Sequence, residues 1–173
     1  MEQLNAFSIP IFKTKVKDWD IHKDRILSLL DLPDCGEQYS DFHKNTETGE
    51  LPSYFEDVVE VLHPAITEFG AAYPIEIVIK MMWAQKYQSN HNHGVHCHGA
   101  LGYSAVFYAQ FEDDHLGTTF YAPFHDFITG QHLEFTPKVS EGDIIFFPST
   151  IMHECKQVQS DKERIIFSFN IAA

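Results

Sequence analysis

Residues 101–111, "LGYSAVFYAQF", decide the fold. The run is short, rich in aromatic and β-branched residues, and it follows a turn residue; it reads as a strand. The same character recurs on both sides of it. Residues 74–88 ("PIEIVIKMMWAQKYQ"), 118–124 ("TTFYAPF"), 132–139 ("HLEFTPKV"), 142–149 ("GDIIFFPS") and 164–171 ("RIIFSFNI") are further short segments of this kind, separated by turn residues. Six or more closely spaced strands after a helical beginning predict a mainly β protein with N-terminal helices. That is an α+β arrangement in which a β-sandwich or small barrel carries helices on one face.

The helical beginning is read from residues 18–31, where Trp19, Ile26, Leu27 and Leu30 recur at loosely helical spacing before Pro33. Residues 34–52 are polar, Gly-containing and aperiodic, which predicts a loop, either a mobile flap or a plain connection. Residues 53–70 open with a Ser53 to Glu56 capping box and place Phe55, Val58, Val59 and Leu62 on one helical face. Pro64 is expected to break or kink that helix. A chain of 173 residues is long enough for one domain with a sizeable core, so we expect a single unit over 1–173: helical support in 1–72 and a β core in 73–173.

Fifteen Phe, seven Tyr and two Trp indicate a packed globular interior. The formal charge of −13 does not suit a phosphate-tracking surface, so nucleic acid is not an expected partner. The start of the chain lacks a signal-peptide pattern, and no apolar span reaches membrane length; a cytoplasmic protein with no membrane partner is expected. Cys35, Cys97 and Cys155 form no CxxC and cannot all pair, which agrees with a reducing compartment. Nothing in the sequence sets an oligomeric state.

Four of the eleven histidines fall in residues 91–99, "HNHGVHCHG". On an extended strand, side chains two apart point the same way, so His96 and His98 would project together as a two-point metal clamp. Cys97 would face the other side as a buried structural thiol. A third ligand must come from elsewhere, and His153, just after the apolar strand at 142–149, offers it. Three protein ligands leave positions open for substrate or oxygen. His91 and His93 read as polar loop residues, and a merely solvated His-rich loop is the alternative to a metal site.

This order of residues resembles the iron(II)- and 2-oxoglutarate-dependent oxygenases, whose double-stranded β-helix (a jelly roll, cupin-like) carries an HxD or HxE pair, a distal His and then a basic residue. Here the series is His96-Cys97-His98, His153 and Arg164. The likeness is to small, prolyl-hydroxylase-like members from bacteria and phages. It runs from "FSIPIFKTKV" (7–16) through residues 83–111 to "IIFFPSTIMHECKQVQSDKERIIFSFNI" (144–171). The resemblance implies that Fe(II) sits on the three histidines and that 2-oxoglutarate and O2 are cosubstrates. A guanidinium grips a carboxylate bidentately and keeps its charge, so Arg164 suits the far carboxylate of 2-oxoglutarate. Tyr108 and, less directly aligned, Tyr87 stand where relatives contact the cosubstrate. Ser168, four residues beyond Arg164, would bond the cosubstrate or a metal-bound water. "HLGTTFYAPF" (115–124) resembles a "GGxTxF" segment with Leu116 in place of the first Gly.

The main departure is His98 at the carboxylate position, which leaves the metal one unit more positive. Either three histidines serve, which we favour, or Asp113, Asp114 or Asp126 moves in. Ile166 departs from an RxS pattern. The implied activity is hydroxylation of a protein or peptide side chain, with proline a candidate, releasing succinate and CO2. The competing readings are a three-histidine dioxygenase of cupin type that needs no 2-oxoglutarate, and a non-catalytic metal-binding or virion-associated jelly-roll module.

Overall fold

A computed structural model describes residue 2, residues 8–72 and residues 77–172. Ten strands and three helices follow one another along these residues. They are β1 (Phe12–Lys15), α1 (Trp19–Leu27), β2 (Tyr39–Ser40), α2 (Phe42–Thr48), α3 (Phe55–Ala72), β3 (Val78–Tyr87) and β4 (His93–His96). The remainder are β5 (Tyr103–Gln110), β6 (Thr119–His125), β7 (His132–Phe135), β8 (Asp143–Pro148), β9 (Met152–Cys155) and β10 (Arg164–Ala172). All pairings are antiparallel, in a six-stranded sheet of order β1-β8-β5-β10-β3-β2 and a four-stranded sheet of order β4-β9-β6-β7. This is the double-stranded β-helix expected from the resemblance, with helices leading in. No helix among the described residues is long and apolar enough to cross a membrane.

The central strands read as unbroken apolar runs because both of their faces are covered. On β5, Ala105, Phe107 and Ala109 face a core shared with Trp19 and Ile26 of α1 and with Val58, Leu62, Ile66 and Phe69 of α3. Val106 and Tyr108 face the opposite way, into a second core between the sheets with Phe120, Ile145, Phe147 and Ile166. The same alternation runs along β8 and β10: Ile144, Phe146, Phe167 and Phe169 belong to the helix side, and Ile145, Phe147 and Ile166 to the inner side. Polar residues on that inner face therefore stand out. They include Arg164 and Ser168 of β10, Gln85 of β3 and Ser104 of β5, all buried.

Three local expectations change. Pro64 does not end its helix: α3 runs from Phe55 to Ala72, because Val58, Leu62, Ala65, Ile66 and Phe69 form one buried stripe across the proline. The expected loop at 34–52 contains β2 and α2, held by side chains rather than by apolar periodicity. The buried Asp41 accepts from the Tyr54 hydroxyl at 2.7 Å and from the Ala84 amide at 2.9 Å. Ser40 Oγ donates to the Ala84 carbonyl and Asn45 Nδ2 to that of Met82, so the segment is fastened to β3. Finally, Cys97 is exposed, not a buried structural thiol. The chain has already left β4 at His96, so strict alternation no longer governs it.

Candidate metal and cosubstrate site

His96, His98 and His153 come together: one ring nitrogen from each lies within 4.8 Å of the others. β4 and β9 set two of them, since His96 and His153 are register partners across the antiparallel pair. His98 lies beyond the strand end, where its backbone N–H donates to the Ser149 carbonyl at 2.9 Å. Each ring has its Nδ1 engaged: on the Gly94 carbonyl for His96, on Ser104 Oγ and Asn170 Oδ1 for His98, and on the Ile151 carbonyl for His153. Such contacts fix the tautomer and leave Nε2 for a ligand. Burial, reinforced by the neighbouring imidazoles, lowers His153 to about 3 and His98 to about 4. The two rings are neutral near pH 7, the state that binds metal.

A fourth ring joins the cluster. His93, expected to be a polar loop residue, begins β4 and stacks on His96 with centroids 4.0 Å apart. Its Nδ1 lies 3.0 Å from Gln85 Nε2, and burial lowers it to about 4. The carboxylates considered as alternative ligands are elsewhere. Asp126 accepts from Thr129 and Ile128 in its own exposed turn, Asp113 and Asp114 are exposed, and no carboxylate joins the cluster among the described residues.

Two cavities meet at the histidines. The outer one, of about 450 Å³, is a cleft whose wall is β2 and α2, through Ser40, Phe42, His43 and Thr46. Met81, Trp83 and Asn170 line it as well, and among the described residues no carboxylate, Lys or Arg does. The inner one, about 20 Å³, runs from the same rings to Arg164, past Gln85, Tyr87, Thr118, Cys155 and Ser168. As it stands it has room for about one water molecule. A five-carbon diacid enters only as lining side chains withdraw.

Arg164 begins β10 opposite Tyr87 and is 1% exposed. The rings of Tyr87, Tyr108 and Phe111 surround its guanidinium at 5.3, 5.6 and 5.6 Å. Nη1 donates to Cys155 Sγ at 2.7 Å, while Nε and Nη2 have no partner. The acidic neighbours in sequence do not serve it: Glu163 is engaged by Lys86 and Gln88. Tyr108 presents its ring to Arg164, but its hydroxyl donates to Thr118 Oγ1 at 3.0 Å and accepts from the Thr118 amide at 3.1 Å. Ser168 Oγ donates to Gln85 Oε1 at 3.2 Å, and the Gln85 amide nitrogen lies 3.0 Å from His93 Nδ1. Sequence reasoning missed Cys155, Gln85, Thr118 and Asn170. Cys155 and Asn170 were within reach, lying at even spacing from His153 and from Arg164 on their strands.

Residues 81–170 match the family model described as "Putative 2OG-Fe(II) oxygenase". The chain belongs to this family. No curated protein matches it. Among solved structures, it is similar to a 2OG-Fe(II) oxygenase family oxidoreductase from Burkholderia pseudomallei, at 16% identity and a TM-score of 0.68, over 94% of this chain and 84% of that one. It is similar as well to the viral collagen prolyl hydroxylase of Paramecium bursaria Chlorella virus-1 (18% identity, TM-score 0.62, 94% and 95% covered). HygX from Streptomyces hygroscopicus, solved with nickel and 2-oxoglutarate, matches at 10% identity and a TM-score of 0.67, with 95% and 83% covered.

Fe(II) and 2-oxoglutarate are the metal and cosubstrate of a 2OG-Fe(II) oxygenase, and the residues present fit both. Three histidines whose side-chain nitrogens converge, Nε2 of His96 and of His98 lying 3.3 Å apart, form a donor set suited to a divalent transition metal. A buried guanidinium with two unpartnered nitrogens and no counter-anion calls for a carboxylate.

Proposed function

We propose that this 2OG-Fe(II) oxygenase holds its iron on His96, His98 and His153 and receives the distal carboxylate of 2-oxoglutarate on Arg164. The observation that carries the reading is the orphaned guanidinium: Arg164 is buried without an anion, in a cavity that opens onto the three histidines. An unpaired buried charge is costly unless a ligand completes it. Tyr87 and Tyr108 wall the guanidinium with their rings, and Ser168 holds Gln85 at the boundary between the two cavities. With three neutral imidazoles the metal keeps its full double charge; the 2-oxo acid end of the cosubstrate offsets one unit of it, while the distal carboxylate offsets Arg164.

When bound, iron and 2-oxoglutarate supply the oxidising power: O2 and the cosubstrate give succinate, CO2 and one oxygen atom placed in a C–H bond of the acceptor. The protein binds, orients and shields. The acceptor enters the outer cleft, where the absence of charged side chains favours an uncharged group and the rings of Phe42 and Trp83 offer apolar contact. A peptide carrying an uncharged side chain such as proline, with apolar neighbours filling the rest, is the acceptor we infer. A ring-bearing small molecule is the second reading, favoured by a cleft much larger than one prolyl ring; HygX has been solved with hygromycin B bound.

The test is turnover. With Fe(II) and oxygen, the protein should convert 2-oxoglutarate to succinate, faster with an accepted substrate, and screening neutral peptides against neutral ring compounds separates the two acceptors. Oxidation of an acceptor without 2-oxoglutarate would favour a cupin-type dioxygenase. Zinc bound without any turnover would favour a structural metal module.

A further inference from the structure

We propose that Cys155 is a positioning residue for the cosubstrate: it occupies one nitrogen of Arg164 and thereby presents the opposite edge of the guanidinium to the carboxylate. The inference rests on the reading of Arg164 given above. Cys155 Sγ lies 2.7 Å from Nη1, whereas Nε and Nη2 are buried and unpartnered. Those two nitrogens share one edge of the planar group, and their parallel N–H bonds can grip both oxygens of a carboxylate. The thiol proton points to the Lys156 carbonyl, 3.5 Å away, so the sulfur accepts, from Arg164 and also from the Tyr87 hydroxyl.

The placement follows from the strand. Cys155 is buried on β9, two residues past His153, so both side chains leave the same face. One four-residue strand thus sets a metal-ligating ring and the sulfur that orients the guanidinium. Nothing else among the described residues holds the Arg164 nitrogens: Tyr108 directs its hydroxyl to Thr118, and the contacts with Tyr87, Tyr108 and Phe111 are with ring faces. Without the thiol, no acceptor among the described residues determines which edge faces the cavity.

The experiment compares two 2-oxo acids. 2-Oxoglutarate and pyruvate are titrated calorimetrically, without oxygen, into Fe(II)-loaded wild type, Cys155→Ala, Cys155→Ser and Arg164→Ala, each with its iron content measured. Pyruvate keeps the metal-chelating end but lacks the distal carboxylate, so damage to fold or metal weakens both ligands alike. Cys155→Ala should weaken 2-oxoglutarate about 10-fold and leave pyruvate unchanged, as expected for losing a hydrogen bond that orients a charged group. Cys155→Ser, which keeps an acceptor, should recover most of the affinity. Arg164→Ala should weaken 2-oxoglutarate by about 100-fold. Wild-type affinity in Cys155→Ala, or equal loss of both ligands, overturns the positioning role while Arg164→Ala still tests the reading of Arg164. Unchanged 2-oxoglutarate affinity in Arg164→Ala would overturn both.

Discussion

Arg164 is buried among three aromatic rings, with a thiol as its only polar partner among the described residues. A residue so placed destabilises the ligand-free protein and is kept for what it binds. Replacing it with Met, similar in length and uncharged, should raise the stability of the metal-free protein by about 1–3 kcal/mol, because an uncompensated buried charge disappears. Thermal denaturation of the two proteins checks this: a higher Tm in Arg164→Met, and no rise on adding 2-oxoglutarate with metal, where wild type does rise. A lower Tm would mean that packing and ring contacts outweigh the desolvation cost. At this scale the sequence was informative. His96, His98 and His153 cluster and Arg164 lines the adjoining cavity, although His98 lies past the end of β4, where strict alternation no longer applies. Gln85 and Thr118 were hidden, since they join the site only through pairings with strands distant in sequence.

The elements that shape the cleft were the least legible. β2 and α2 lie in a polar, aperiodic stretch, and what orders them is a set of side-chain bonds to β3 and to Tyr54, just before α3, some forty residues away in the case of Asp41 to Ala84. Periodicity cannot reveal such bonds. Their strength can be measured. Asp41→Ala would strand the Tyr54 hydroxyl and the Ala84 amide, costing about 2–4 kcal/mol. Because Ser40, Phe42, His43 and Thr46 line the cleft, the same change should speed hydrogen exchange in residues 39–48 and weaken acceptor binding more than 2-oxoglutarate binding. Equal weakening of both ligands would show that the wall does not act on the cleft alone. α3 gives the complementary lesson: Pro64 is a strong local stop signal, overridden by a buried stripe that packs against the sheet.

Across the whole molecule, two sheets close over an inner core that carries a few polar residues, and folding brings the imidazoles together, His153 buried and His96 and His98 half-buried. That arrangement links stability to pH. His98 and His153 fall to about 4 and 3 in the folded state from 6.5, so between those values the unfolded chain binds more protons. Their contribution to stability is complete above pH 6.5 and is lost as the pH falls toward 4 and below. The Tm of the metal-free protein should drop by several degrees between pH 7 and 4.5, and His153→Phe, facing Phe120 and Phe147, should flatten that slope. An unchanged slope in the variant would remove His153 as the cause. Six of the ten strands, β3, β5, β6, β7, β8 and β10, were readable as short apolar runs and the double-stranded β-helix from the resemblance, whereas the shape of the two cavities depended on long-range register.

The most direct measurement is an anaerobic titration of the metal-free protein, first with Fe(II) and then with 2-oxoglutarate, followed in the visible range. A weak charge-transfer absorption should appear only after the second addition, saturate at one cosubstrate per iron, and require far more 2-oxoglutarate in Arg164→Ala. Iron bound without that absorption, or an absorption indifferent to the Arg164 substitution, would contradict the assignment of the two cavities.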